Sequence, residues 1–313
     1  MMLQKEVLKS SFDFISHTNE KEATKFFRML CQRLNIDGSE KNMKNLVIYE
    51  MIDGMRTSAE LSGIEAYIEG GLFSVRLIRF LKFLGAKACY INVTEEKHKQ
   101  RSNYPEILEA LRQLYPFYEE FVKHYKVKCK FLGRIEESLD DTSLFMKELR
   151  VLEEDTASNA GFTACFLINY SLEWSLQNMD LFEELPDINV VIRHTKFQVP
   201  TGMLLPPSKS DNTSLVYVQQ GAPSRTWSDH QILCLIALAL RSMLLNYGTQ
   251  YTKTYSAKER EEIRTKREIE AVLVHKQLLE ETIKLSPSPI AEKVYRNKRV
   301  ILGTPFGPEI YEF

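Results

Sequence analysis

Polar residues that can bind charged groups follow several of the apolar runs in this sequence. Asp53 and Gly54 follow one such run, and Arg193 and His194 follow another. A carboxylate suits a bound cation, a glycine lets backbone N–H groups approach an anion closely, and an arginine beside a buried strand needs an anionic partner. Asp-Gly is also a common turn, and an internal carboxylate such as Asp187 would equally satisfy Arg193.

The elements that would position these residues alternate between strand and helix. Apolar, β-branched runs predict strands at residues 46–52, 89–93, 127–132, 162–168, 188–192 and 215–218. Helical spacing of apolar residues predicts helices at residues 64–84, 105–125, 138–153, 171–184 and 229–246. This alternation is typical of a parallel sheet with helices on both faces. Since ligands bind outside the carboxyl ends of such strands, the candidate loops are residues 53–54, 92–96, 169–170 and 193–194.

The composition argues against several classes of protein. Of the 313 residues, 44% are hydrophobic and 27% are charged, which is ordinary for a folded globular chain. The 41 basic and 42 acidic residues give a net charge of −1, whereas proteins that bind nucleic-acid phosphates usually carry a basic excess. No apolar run is long enough to span a membrane, and the five cysteines include no CxxC pair. We therefore expect a cytoplasmic protein with buried, reduced thiols.

Three segments of the chain differ in character. Residues 1–43 are charged, with a helical spacing of apolar residues that predicts an N-terminal helical extension. Residues 44–247 contain the alternating strands and helices and form the predicted main domain. Residues 248–313 comprise a highly charged helical stretch and a C-terminal tail that is rich in turn residues, separated by the Ser-Pro-Ser-Pro sequence at residues 286–289.

Seven segments, in chain order, resemble motifs of the cis-prenyltransferases, the undecaprenyl diphosphate synthase family. They are Ile48–Arg56, Glu69–Arg76, Tyr90–Glu96, Phe131–Arg134, Asn159–Tyr170, Pro186–Arg193 and Trp227–Asp229. The first is similar to the Asp-Gly-Asn-Gly-Arg loop of that family, and the sixth is similar to its Pro-Asp-x-x-Ile-Arg strand. The resemblance covers about residues 45–245.

The resemblance implies a central parallel sheet of about six strands flanked by helices, and a Mg²⁺-dependent enzyme that uses prenyl diphosphates. By the same resemblance, Asp53 would be the catalytic residue and a Mg²⁺ ligand. Gly54 and Arg56 would bind one diphosphate group, and Arg193 and Thr201 would bind the other. Mg²⁺ suits this chemistry because it is held by one or two carboxylates together with phosphate oxygens.

The chain departs from the family pattern after the fifth predicted strand. The second arginine of the family falls on Val199, so His194 and Lys196 are the candidate substitutes for it. The metal-binding glutamate of the family falls on Asn212, and the neighbouring Asp211 is then the candidate second Mg²⁺ ligand. By the resemblance, the residues that the chain lacks belong mostly to the side that would bind isopentenyl diphosphate or to proton handling.

Two main hypotheses for the function follow from this resemblance. The first is a divergent prenyltransferase that acts on allylic diphosphates, with a non-standard acceptor, coupling or cyclisation. The alternative is a non-catalytic subunit of the same fold that supports a catalytic partner, and the retained Asp53 favours the enzyme. A third interpretation is an α/β binding protein unrelated to prenyl chemistry. The resemblance also implies a homodimer, or a heteromer with another cis-prenyltransferase.

Overall fold

A computed structural model describes residues 18–34, 36, 38–51, 62–135, 143–194, 214–218, 227–245, 256–262, 265, 299–304 and 307–312. The helices are α1 (Glu20–Arg33), α2 (Ser39–Met43), α3 (Ile64–Phe83), α4 (Tyr104–His124), α5 (Ser143–Thr156), α6 (Leu172–Gln177) and α7 (Asp229–Leu245). The strands are β1 (Val47–Met51), β2 (Ala88–Asn92), β3 (Lys128–Leu132), β4 (Thr163–Leu167), β5 (Val190–His194), β6 (Ser214–Val218), β7 (Arg299–Thr304) and β8 (Gly307–Glu312). Two 3-10 turns complete the elements, at Glu96–Gln100 and Met179–Phe182.

Six of the strands form one parallel sheet in the order β3-β4-β2-β1-β5-β6. This confirms the predicted α/β class and the predicted sheet of about six strands. After β1 the chain forms the side of the sheet that contains β2, β4 and β3, and from β5 onward it forms the other side. The neighbouring strands β1 and β5 are therefore the point at which the strand order reverses. In open parallel sheets, such a point leaves a crevice for a ligand at the carboxyl ends of the strands.

The two faces of the sheet are covered unequally within the described residues. One face packs against α1, α3, α4, α5 and α7 in a large apolar core. The other face carries Tyr49, Tyr90 and Val191, and it is covered by the segment that includes Trp174 and Phe182. The continuous apolar strands agree with a sheet that is buried on both sides.

Side chains of α5 accept hydrogen bonds from the backbone of the edge strand β3. The backbone N–H of Cys129 donates to Thr156 Oγ1 at 3.1 Å, and that of Phe131 donates to Glu153 Oε2 at 3.2 Å. These bonds satisfy donors that would otherwise lie at the open edge of the sheet.

A buried ion pair fixes the start of α7 against α3. Arg76 Nη2 lies 2.8 Å from Asp229 Oδ1 and also donates to the carbonyl oxygen of Trp227 at 2.6 Å. The indole ring of Trp227 meets Phe73 edge to face, with ring centroids 5.5 Å apart. Removing either charge of this pair would take an opposite charge away from a buried one, which is strongly destabilising.

The structure differs from the sequence prediction in two places. The helix expected at 171–184 ends at Gln177 and gives way to a 3-10 turn, because Asn178 leaves helical geometry and its side chain donates to the carbonyl of Trp174 at 2.8 Å. The C-terminal tail, expected to consist of turns, contains an antiparallel β7–β8 hairpin. No described helix is both long and apolar enough to cross a membrane. All five cysteines are buried and free of disulfides, as predicted.

Candidate functional site

The strands bring the predicted site loops to one edge of the sheet. β1 pairs in parallel with both β2 and β5, and Met51 at the end of β1 lies opposite Arg193. β2 pairs in parallel with β4, with Asn92 opposite Leu167. The carboxyl ends of β1, β2, β4 and β5, where the four candidate loops are predicted, therefore lie along the same edge of the sheet, as expected for parallel strands.

Most of the predicted site residues lie outside the described residues. Asp53, Gly54 and Arg56 belong to the interval 52–61, and the candidates Lys196, Thr201 and Asp211 belong to the interval 195–213. For Arg193 and His194 the backbone alone is described, as the last two residues of β5. Their roles in binding and catalysis stay predictions.

The described part of the edge contains a polar cluster that joins the ends of β2 and β4. The Thr94 hydroxyl accepts a hydrogen bond from the backbone N–H of Asn169 at 2.7 Å. The carbonyl of Thr94 accepts from Tyr170 N–H at 3.0 Å, and Thr94 N–H donates to the Leu167 carbonyl at 3.1 Å. Thr94 and Asn169 are both fully enclosed by protein. Three hydrogen bonds thus hold the two loops in a fixed relative position.

Asn169 extends this connection to the end of β3. Its backbone is in the left-handed region with φ of 50°, a conformation that asparagine tolerates better than most residues. Its side-chain amide donates to the carbonyl of Arg134 at 3.0 Å, and its own carbonyl accepts from Arg134 N–H at 3.4 Å. Gly133 must be glycine here, because it has φ of 122° and an added Cβ would lie 1.9 Å from the Ile168 carbonyl oxygen.

A buried carboxylate stands at the centre of the cluster. Glu95 accepts a hydrogen bond from the side-chain amide of Asn92 at 3.2 Å and forms an ion pair with Lys97. The backbone N–H of Glu95 donates to His98 Nδ1 at 3.3 Å. The next residue, Glu96, has Oε1 3.6 Å from Arg134 Nη1. Each carboxylate is therefore matched to a cation, and the pairs fix the turn that follows β2.

Two tyrosines beside this cluster stay protonated at neutral pH. Burial raises the pKa of Tyr49 well above its ordinary value, and the nearby Tyr170 and Glu95 raise it further. Burial also raises the pKa of Tyr170 to about 12, although its hydrogen bond with Ser175 acts in the opposite direction. Both phenols therefore remain hydrogen-bond donors rather than anions.

The described residues supply cations to this edge but do not assemble a metal site. The turn after β2 carries Lys97, Lys99 and Arg101, which suit an anionic ligand. No three His, Cys, Asp or Glu side chains come together as a metal site within the part of the chain that the structure describes. Glu95 and Glu96 each face a cation, and the assignment of Asp53 and Asp211 as Mg²⁺ ligands stays a prediction.

The loops of the polar cluster could be predicted from the sequence, but the hydrogen bonds that its residues form could not. Two signals indicate residues 92–96 and 169–170: each segment follows a predicted strand, and each belongs to a segment that resembles a family motif. Nothing in the sequence indicates that Thr94 bonds to Asn169, 75 positions away along the chain. That contact follows from the pairing of β2 with β4, although β3 lies between them in the chain.

Among known proteins, this chain is similar to solved structures, and its sequence identity to them is low. No protein-family model matches the sequence, and no curated protein matches it. A crystal structure of lavandulyl diphosphate synthase from Lavandula x intermedia, in complex with dimethylallyl diphosphate, is similar with a TM-score of 0.48 and 16% identity, over 65% of this chain and 96% of that one. A probable undecaprenyl diphosphate synthase from Campylobacter jejuni is similar with a TM-score of 0.45 and 12% identity, over 63% of this chain and 95% of that one.

Proposed function

We propose that this chain is a divergent prenyltransferase that binds an allylic diphosphate at the carboxyl ends of β1 and β5. The supporting observation is the register of these strands, in which Met51 lies opposite Arg193. Two residues span at most about 7 Å, and paired strands lie about 5 Å apart. We propose that Asp53, two residues beyond Met51, and Arg193 act on the same bound substrate, because a separation of about 12 Å or less can be bridged by a diphosphate and an arginine side chain.

The proposed reaction begins with the ionisation of the allylic diphosphate. The C–O bond breaks, the diphosphate leaves with the electron pair, and the allylic cation is attacked by the π electrons of an acceptor, which then loses a proton. We propose that Gly54 and Arg56 bind the leaving diphosphate, and that Arg193 and Thr201 bind the group on the acceptor side. Donors aimed at developing charge are the largest single contribution in such reactions.

We further propose that Asp53 and Asp211 are the Mg²⁺ ligands, with Asp53 essential for turnover. Bound Mg²⁺ would neutralise part of the charge on the leaving diphosphate. The polar cluster around Thr94 and Asn169 positions the loops beside this site, and the turn after β2 presents its cations to the same edge. We also propose a cytoplasmic homodimer, which light scattering at micromolar concentration can test.

The absence of the second arginine of the family favours a reaction with a non-standard acceptor over ordinary chain elongation. With Val199 in place of the second arginine of the family, Lys196 or His194 would have to bind the second diphosphate. The same loss is what favours the second candidate function, a non-catalytic subunit that supports a catalytic partner.

The test is a product assay with purified protein and Mg²⁺. Allylic diphosphates of several lengths are incubated with and without isopentenyl diphosphate, and products are identified by mass. Asp53→Asn should lower turnover by about 10²–10³-fold, equivalent to about 2.7–4 kcal/mol, if its loss resembles the loss of one transition-state donor. Asp155→Asn, a change of the same type at a surface residue, should leave turnover unchanged. Equal turnover of Asp53→Asn and wild type would contradict the proposal.

A further inference from the structure

Large apolar side chains are exposed on the segment that covers the second face of the sheet. Leu176 is 49% exposed, Met179 is 46% exposed and Leu181 is 50% exposed. Among the described residues, the other large apolar side chain of comparable exposure is Val151, which stands apart on α5. Three such residues lie within six positions of the chain, which is a local concentration rather than a scatter of single surface residues.

The backbone that carries this group is held firmly. Ser171 caps α6 by accepting from the N–H of Trp174 at 3.2 Å. The indole ring of Trp174 packs between Tyr170 and Phe182, with centroids 6.3 Å and 6.1 Å away. The side chain of Asn178 then fixes the end of the helix. The exposed group is thus presented by an anchored framework whose other side chains already fill the core.

The surroundings of this group are acidic. Residues 171–192, which carry the group, contain five Asp and Glu residues and no Lys or Arg. Glu173, Asp180 and Glu184 are exposed, and none of the three forms an ion pair with another described residue. We call the surface made by Glu173, Leu176, Met179, Asp180, Leu181 and Glu184 the acidic apolar face.

We propose that the acidic apolar face binds a second protein through a cationic amphipathic helix. An apolar stripe on that helix would cover Leu176, Met179 and Leu181, and its flanking Lys and Arg residues would meet the three carboxylates. A lipid surface fits poorly, because the cytoplasmic leaflet is itself anionic and would be repelled. Phosphate backbones are disfavoured for the same reason. The small contact group predicts a weak complex of micromolar affinity.

The probe for this inference is a synthetic helical peptide of about five turns, with leucine on one face and lysine on the other. Its binding to the full chain is followed by fluorescence anisotropy. We expect micromolar affinity that falls at high salt. The combined change Leu176→Ser, Leu181→Ser and Glu184→Lys should weaken binding at least tenfold. The control, Val151→Ser with Glu154→Lys, makes the same kinds of change on the exposed surface of α5 and should leave binding unchanged.

Several outcomes would overturn the inference. Binding that is equally strong after the changes at the acidic apolar face, or equally strong with a leucine–glutamate peptide, would show that the face does not select a cationic helix. Preferential binding of the chain to anionic vesicles, lost on the same changes, would assign the face to lipid. A dimer of this chain that those changes dissociate would assign it to a second copy. The inference does not depend on the proposed enzymatic function.

Discussion

Replacement of Thr94 by valine should weaken the polar cluster at the candidate site without creating a cavity. Valine has nearly the shape of threonine but cannot accept the hydrogen bond that the backbone N–H of Asn169 makes with the Thr94 hydroxyl at 2.7 Å. Thr94 is 1% exposed and Asn169 is 0% exposed, so water cannot replace the lost acceptor in the folded state. A buried donor left without a partner costs about 1–3 kcal/mol.

We therefore expect Thr94→Val to lower the free energy of unfolding by about 2 kcal/mol, measured by urea denaturation with an unchanged m-value. The Asn169 amide should also exchange its hydrogen faster in native-state exchange experiments. Thr94→Ser keeps the oxygen and loses one methyl group, so it should cost about 0.8 kcal/mol and leave the Asn169 amide protected. If Thr94→Val proves no less stable than Thr94→Ser, and the Asn169 amide stays protected, the hydrogen bond does not hold these loops together.

Three further predictions concern the stability of the fold. Gly133→Ala should cost at least about 2–3 kcal/mol in urea denaturation, from backbone strain and the contact with the Ile168 carbonyl; an unchanged midpoint would count against the geometry described. Asp229→Ala should cost about 3–5 kcal/mol because the buried Arg76 charge loses the Asp229 carboxylate, whereas an apolar replacement of both residues should recover most of that loss. Burial raises the pKa of Cys31 from 9.0 to about 11, although a hydrogen bond with Ser39 acts against it. Because the unfolded thiol loses its proton first, stability should fall between about pH 9 and pH 11, by up to about 3 kcal/mol, and Cys31→Ala should show a correspondingly smaller fall in the same titration.

The strands were predictable because burial on both faces makes each one a short continuous apolar run. All six predicted strands are present, with ends that differ by at most two residues from those expected, and the helices predicted between the first five strands favour their parallel arrangement. The end of α6 was less predictable, because the helical spacing of Leu172, Leu176 and Met179 continues past Gln177 while the side chain of Asn178 stops the helix. The β7–β8 hairpin was missed although Val300, Ile301 and Leu302 form a short apolar run, because the glycine and proline residues around that run are typical of turns.

Some features of the candidate site can likewise be predicted from neighbouring residues, whereas others depend on contacts between distant parts of the chain. A strand end is a local feature, so the loops at residues 92–96 and 169–170 could be selected from the sequence. The contact of Thr94 with Asn169, and the approach of Gly133 to Ile168, depend on which strands become neighbours, and no single-sequence pattern determines that. Asp53, Arg56 and Thr201 were identified through a family resemblance, and their roles remain predictions.

The most direct test of the central claim is the calorimetric titration of dimethylallyl diphosphate and isopentenyl diphosphate into the full chain with Mg²⁺ present. The account predicts that the allylic compound binds about ten- to a hundredfold more tightly, because one charge-assisted hydrogen bond, worth roughly 1.5–3 kcal/mol, is lost from the other pocket. It also predicts that Asp53→Asn abolishes most of the Mg²⁺-dependent part of that binding. Failure of either diphosphate to bind, or equal binding to wild type and Asp53→Asn, would contradict the claim that this chain is a prenyl diphosphate enzyme.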